Sequence, residues 1–275
     1  MIRRLRIAIA CFFAALLSAG PARADLLVSP LRVVLTPDAP RARVRISNQS
    51  PAERIVRVRL IDLAATETGG YRPPSLAERD AISAARYVEL DGTDFVLPPR
   101  TDVETVVRLR ADDLPTSFDE RRVHLLVESA APSAGIRRTS GRLADLSLDM
   151  ASGVSLPVLV RERGSIAPET AITSAAFRRD PDGRLQLRAT LSADGPHSPT
   201  GALVVTWRAA GEAEPRRVGR LSNVAVYRET PTRRFDVGLE EGDYADGRLA
   251  VTYLGAEEFA GVSFAERIFD VAPRE

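Results

Sequence analysis

The sequence predicts an all-β protein made of two β-sandwich domains, and three observations lead there. Helical periodicity is nearly absent beyond the first 24 residues. Short segments in which every second residue is apolar recur along the whole chain, and turn-forming clusters such as Thr36-Pro37-Asp38, Asn48-Gln49-Ser50-Pro51 and Leu97-Pro98-Pro99-Arg100 separate them. A single large jelly roll is the alternative partition of the same strands.

The N-terminus is a separate matter. It reads MIRRLRIAIACFFAALLSAGPARAD, with early arginines, an apolar run from Ile7 to Leu17 and the small-x-small triplet Ala22-Arg23-Ala24. That is the pattern of a cleaved secretory signal over residues 1–24, with a mature start at Asp25. The run is too short to be a membrane span, so no integral membrane segment is expected in the mature protein. Without the signal, 34 basic residues face 37 acidic ones, a net charge of −3, and the apparent basicity of the full chain disappears. No arginine-rich stretch with interleaved aromatics remains to suggest nucleic acid. The only cysteine, Cys11, lies in the signal. The mature chain must therefore hold together by burial, for which about 250 residues suffice.

In the first half the alternating segments are 26–36, 42–48, 54–62, 102–110 and 122–129, which read as a sandwich of about seven strands with the strand that follows them. That strand is unusual. In LADLSLDMASGVSLPVLV, residues 143–160, apolar side chains fall on Leu146, Leu148, Met150, Val154, Leu156, Val158 and Val160, broken only by Ser152. An alternation this long is about three times an ordinary strand. Either all seven belong to the chain's own core, or the strand breaks at Gly153 into two ordinary ones, or something else covers the surplus.

Arg161-Glu162-Arg163-Gly164-Ser165 is polar and contains glycine, which makes it the expected linker and divides the chain into domains 25–163 and 164–275. Beyond it, segments 175–178 and 184–190 flank Asp180-Pro181-Asp182-Gly183, a hairpin signal. Further strands are expected at 201–208, 215–221, 223–228, 233–239, 247–254 and 263–271. Residues 65–86 and 130–142 read as irregular inserts without packed elements, the first with a short helix near 76–85.

Catalytic chemistry finds little to work with. Two histidines, His124 in a strand and His197 in a loop, are too few for an ordinary zinc site, and no Gly-x-Ser-x-Gly elbow accompanies them. A lone strand histidine is usually a hydrogen-bonded structural residue. The pairs Asp112-Asp113 and Glu257-Glu258 lie in turn-like segments and read as solubilising charge. Asn48-Gln49-Ser50 matches the glycosylation sequon, a match of low specificity. Aromatics are few and dispersed, unlike a carbohydrate-active cleft. Neither a catalytic site nor a cofactor or metal site is expected, which favours a binding protein.

Four blocks in order carry a family resemblance: Val28-Ser29-Pro30-Leu31-Arg32-Val33; Phe95-Val96-Leu97-Pro98-Pro99 with Thr105-Val106-Val107-Arg108-Leu109; Glu120-Arg121-Arg122-Val123-His124-Leu125; and Val154-Ser155-Leu156-Pro157-Val158-Leu159-Val160-Arg161. Over residues 26–161 the chain resembles the periplasmic fimbrial (pilus) chaperones of the chaperone-usher system, their non-classical branch in particular. Beyond Gly164 the similarity rests on strand pattern and on the run from Gly219 to Tyr227.

The resemblance implies two immunoglobulin-like domains, residence in the periplasm, and no enzymatic activity. Its implied partners are pilin-like or coat-like secreted subunits and an outer-membrane usher, with no nucleic acid. Such subunits lack their last strand and expose a groove, and the chaperone lends a strand by β-augmentation. Leu146, Leu148 and Met150 would be the lent residues, with Val154 to Val160 left for the chaperone's own core. Arg32 matches the arginine that grips the subunit's C-terminal carboxylate, a role suited to a planar guanidinium. Where the family carries a second anchoring lysine this chain has Pro157, and it contains no lysine at all; Arg122 and Arg108 are the candidate substitutes. A secreted structural or adhesive two-domain sandwich without chaperone activity is the competing reading.

Overall fold

The computed structural model describes residues 26–115, 117–130 and 152–272. Leu146, Leu148 and Met150, like the signal, lie outside the described residues.

The N-terminal part contains β1 (Leu26–Ser29), β2 (Val33–Leu35), β3 (Arg41–Asn48) and β4 (Arg54–Ile61), then the short pair β5 (Ala64–Ala65) and β6 (Tyr71–Arg72). After helix α1 (Leu76–Ile82) come β7 (Val88–Leu90), β8 (Asp94–Leu97), β9 (Asp102–Leu109), β10 (Glu120–Ala130) and β11 (Ser152–Arg161). Two sheets face each other, in the orders β1-β3-β9-β7 and β2-β11-β10-β4-β8. These are the two sheets of an immunoglobulin-like sandwich. Alternation decides which side chains enter the core: Val44 and Ile46 from β3, Val123, Leu125 and Val127 from β10, and Leu156, Val158 and Val160 from β11.

The alternating run 26–36 predicts one strand, but the chain changes sheet within it. β1 pairs with β3 antiparallel, while β2, beyond Pro30, pairs with β11 parallel. Proline has no amide proton with which to continue a ladder, and it stands where the two pairings separate.

The C-terminal part comprises β12 (Glu169–Arg179), β13 (Leu185–Asp194), β14 (Thr200–Ala209), β15 (Arg216–Ala225), β16 (Thr232–Gly238), β17 (Gly247–Gly255) and β18 (Ser263–Val271). Its sheets run β12-β13-β16 and β15-β14-β17-β18 around a second core centred on Trp207, Val251 and Tyr253. The Asp180–Gly183 turn forms as expected: Gly183 takes φ +82°, and the Asp180 carboxylate accepts from Arg184 N at 2.8 Å. Two strands predicted at 215–221 and 223–228 are instead the single β15. A register shift opposite β14 and Asn223 at φ +58° absorb the irregularity as a bulge.

Three sequence expectations need correction. Asn48 is fully buried; its amide donates to the carbonyls of Ala52, Leu97 and Pro98 and its oxygen accepts from Ser50, so it pins two loops and is closed to a glycan. The 65–86 insert is packed. Thr230 Oγ1 donates to Ala65 O at 3.0 Å, Arg233 Nε to Thr66 O at 3.0 Å and Arg234 N to Glu67 O at 2.6 Å, so the β5–β6 hairpin is stitched onto the C-terminal sandwich. The short helix of this insert begins with a capping box between Ser75 and Glu78. Finally, Arg161 is not a solvated linker residue: its side chain is 0% exposed.

Candidate functional site

β-Sheet register builds the site. On β10, β11 and β2 one face fills the core, so the intervening residues form the opposite face. Arg122 lies beside Leu159, which lies beside Val34; His124 lies beside Pro157, and one step back along the parallel pairing places Arg32 next in that row. This outer face is covered by the C-terminal sandwich and the β5–β6 hairpin. A cavity of about 230 Å³ opens where the end of α1, the start of β10 and residues 228–229 meet, lined by Ile82, Glu120, Arg121, Arg122, Arg228 and Glu229.

The β11 strand runs unbroken through Gly153 to Ser152, paired with Glu128 and Ser129 of β10. Across its other edge β2 pairs only with Val158, Leu159 and Val160. Among the described residues, the edge from Ser152 to Pro157 is therefore free, because β1 has left for the other sheet. Leu27 and Leu31, near the departure point, are exposed. Pro157 stands at the last position before β2 begins, where its missing amide proton costs least.

Arg32 is buried beside this edge, its side chain 7% exposed. Its one ion pair is to Glu258, with Nη2 2.8 Å from Oε1, and none of its guanidinium nitrogens has a hydrogen-bond partner among the described residues. Arg122 is more fully engaged: it stacks 3.6 Å from the ring centroid of Tyr227, donates to Leu63 O at 2.9 Å and pairs with Glu229. Its Nε and Nη1 have no partner among the described residues. Arg108, the other candidate for the missing lysine, is on the β1-β3-β9-β7 sheet and pairs with Asp91, so the fold does not bring it to Arg32.

Below the cleft lies an ionic network that the sequence did not reveal. Arg161 donates to Glu120 Oε2 at 2.8 Å, Ser165 Oγ at 2.6 Å, Glu258 Oε1 at 3.0 Å and the Ser198 carbonyl at 3.3 Å. Glu120 in turn accepts from Ser198 N at 3.2 Å. Glu258, expected to be solubilising charge, is thus shared by Arg32 and Arg161. The residues of this network span positions 32 to 258; Arg32, Glu120 and Arg161 fell in the resemblance blocks, whereas Ser165, Ser198 and Glu258 fell in none.

His124 corrects another expectation: it is 1% exposed, yet neither ring nitrogen has a hydrogen-bond partner among the described residues. Tyr71 of the hairpin sits edge-on to it at 4.9 Å. Burial, and then the charge of Arg122, pushes its pKa down to about 3. The unfolded chain protonates this histidine near pH 6.5 and the folded one only near 3. Stability is therefore full above pH 6.5 and falls with decreasing pH, by about 1.4 kcal/mol per unit for this one proton. Urea midpoints between pH 6 and 4 should show a shallower decline in His124→Gln than in the parent; equal slopes would place the acid sensitivity elsewhere. His197 is shifted in the same direction, by burial foremost, while its Nδ1 accepts from Ile166 N at 2.8 Å.

No family model matches the chain, and no curated protein matches it. Among solved structures, the chain is similar to a chain of the Salmonella enterica SafA pilin complex with the SafB chaperone, at 10% identity and TM-score 0.46, covering 92% of this chain and 99% of that one. It is similar to the YadV chaperone at 13% identity and TM-score 0.44, covering 90% and 100%. It is also similar to a chain of the CsuC–CsuE chaperone–tip adhesion subunit complex of Acinetobacter baumannii, at 13% identity and TM-score 0.41, covering 92% and 100%.

Proposed function

We propose that this protein is a periplasmic chaperone that captures secreted pilin-like or coat-like subunits by donor-strand complementation and passes them to an outer-membrane usher. The observation that carries the reading is the free edge of β11 from Ser152 to Pro157 lying directly beside Arg32. A subunit strand pairing there satisfies its main-chain groups on β11, and its terminal carboxylate meets a buried guanidinium whose donors are unused.

In this reading the domains divide at 163/164. Leu146, Leu148 and Met150 continue the same strand and fill the subunit's groove, each contributing about 1.5–3 kcal/mol by burial. The assembly step needs neither nucleotide nor cofactor, since exchange of the lent strand for a better-fitting one at the usher runs downhill. Arg122, in the outward-facing row next to that of Arg32, takes the place of the second anchor.

Co-expression with a small secreted β-protein encoded nearby, followed by affinity co-purification, tests this. Arg32→Ala is expected to reduce capture about tenfold or more, the loss of a charge-assisted hydrogen-bond pair. Capture at the parent level would remove the anchor role from Arg32.

A further inference from the structure

We infer that Glu258 is an internal competitor for the carboxylate anchor, seated on Arg32 in the unbound protein and displaced when a subunit's C-terminus arrives. This rests on the anchor reading of Arg32 above.

The asymmetry of the three-residue contact supports the inference. One oxygen, Glu258 Oε1, lies 2.8 Å from Arg32 Nη2 and 3.0 Å from Arg161 Nη1. Arg161 also has Glu120, Ser165 and Ser198 as acceptors, so it stays satisfied whether or not Glu258 moves. Among the described residues Arg32 has Glu258 alone, and that contact is an ion pair without hydrogen-bond geometry, leaving its buried Nε and Nη1 without acceptors there. A planar guanidinium held this way is under-used, because a carboxylate approaching in its plane makes two parallel hydrogen bonds where Glu258 makes none. An incoming α-carboxylate is therefore the better ligand for Arg32.

Displacement is also inexpensive for Glu258. Its carboxylate keeps Arg161 as a partner, and its side chain is already 18% exposed to water. Charge balance does not drive the exchange, since Arg32 and Arg161 already face Glu258 and Glu120 and the guest adds a third carboxylate; the drive is the hydrogen-bond geometry that Arg32 gains while Glu258 turns to Arg161 and water. The consequence is a threshold. If Glu258 holds Arg32 about nine-tenths of the time, apparent affinity for a carboxylate falls about tenfold relative to a free arginine. Peptides and proteins with an ill-fitting C-terminus are then rejected, while one whose strand also pairs along β11 overcomes the competitor.

Calorimetric titration with two synthetic peptides of alternating apolar sequence, one ending in a free carboxylate and the other in its amide, tests this. The parent is expected to prefer the acid, Glu258→Gln to raise the acid-to-amide preference about tenfold, and the double variant with Arg32→Ala to show no preference. Glu258→Asp, which keeps the charge but withdraws it by one methylene, should fall between parent and Gln variant, and it decides the question if the Gln variant does not fold. If Arg32→Ala abolishes the preference but neither Glu258 variant raises it, the competition is wrong and the anchor stands. If the parent and both Glu258 variants treat acid and amide alike, the anchor itself is wrong and the competitor with it.

Discussion

Arg161→Ala is expected to lower the unfolding free energy by about 3–5 kcal/mol, the usual cost of removing one partner from a buried ionic network. The size follows from what is left behind. Glu120, its side chain 4% exposed, would keep a buried charge with only Ser198 as donor, and Glu258 would keep only its imperfect contact with Arg32. Arg161→Lys should fare little better, since one ammonium cannot reproduce a planar fork that serves Glu120, Ser165, Glu258 and the Ser198 carbonyl together. Chemical denaturation measures the loss. Adding Glu120→Gln to Arg161→Ala should restore part of it, because the orphaned charge goes with it. A shift below about 1 kcal/mol for the single variant would show that the network is not a structural support.

On the proposed function Leu148→Asp is expected to abolish subunit capture, a loss of at least a hundredfold, while leaving the protein folded. Burial of the leucine in a partner's groove is worth about 2 kcal/mol, and placing a carboxylate there adds a desolvation penalty of several kcal/mol. The own-core alternative makes the opposite prediction: aspartate at 148 would then unfold the N-terminal sandwich. Co-purification and thermal unfolding of the same variant separate the two. A folded variant that still binds its subunit at parent level would eliminate the donor role.

The strands were legible because a half-buried strand writes its exposure into every second residue, and β3, β4, β9, β10, β13, β14, β16, β17 and β18 lie within a few residues of their expected places, whereas β12 begins six residues early and β15 was read as two strands. What failed has a common cause. The β5–β6 hairpin has two residues per strand and no apolar alternation, so its order comes from residues 225–234, more than 150 positions away. Arg161 looked like linker because its neighbours Glu162, Arg163 and Gly164 are polar, whereas its partners are contributed by β10, the loop before β14 and the turn after β17. Glu258 was hidden in the same way. Arg32 was singled out only because a motif surrounds it; one residue before β2, it continues that strand's outward-facing row, which by itself says nothing about a partner. The inward face of β11 was fully legible, since Leu156, Val158 and Val160 lie where the period of two puts them.

The departure of β1 from the sheet of β11 does more than expose an edge. Arg32 follows the crossing immediately, so on the proposed function the point that holds a guest strand's end and the point at which the edge opens are fixed by the same backbone turn. From Pro157 back to Ser152 the strand extends about 17 Å at roughly 3.3 Å per residue. That length is set by covalent geometry and cannot be altered by rocking one sandwich against the other. β11 is in effect a graduated rule with its zero mark at Arg32. On the proposed function a guest strand is measured from its own terminus, and a length wrong by one residue turns its apolar side chains to the opposite face.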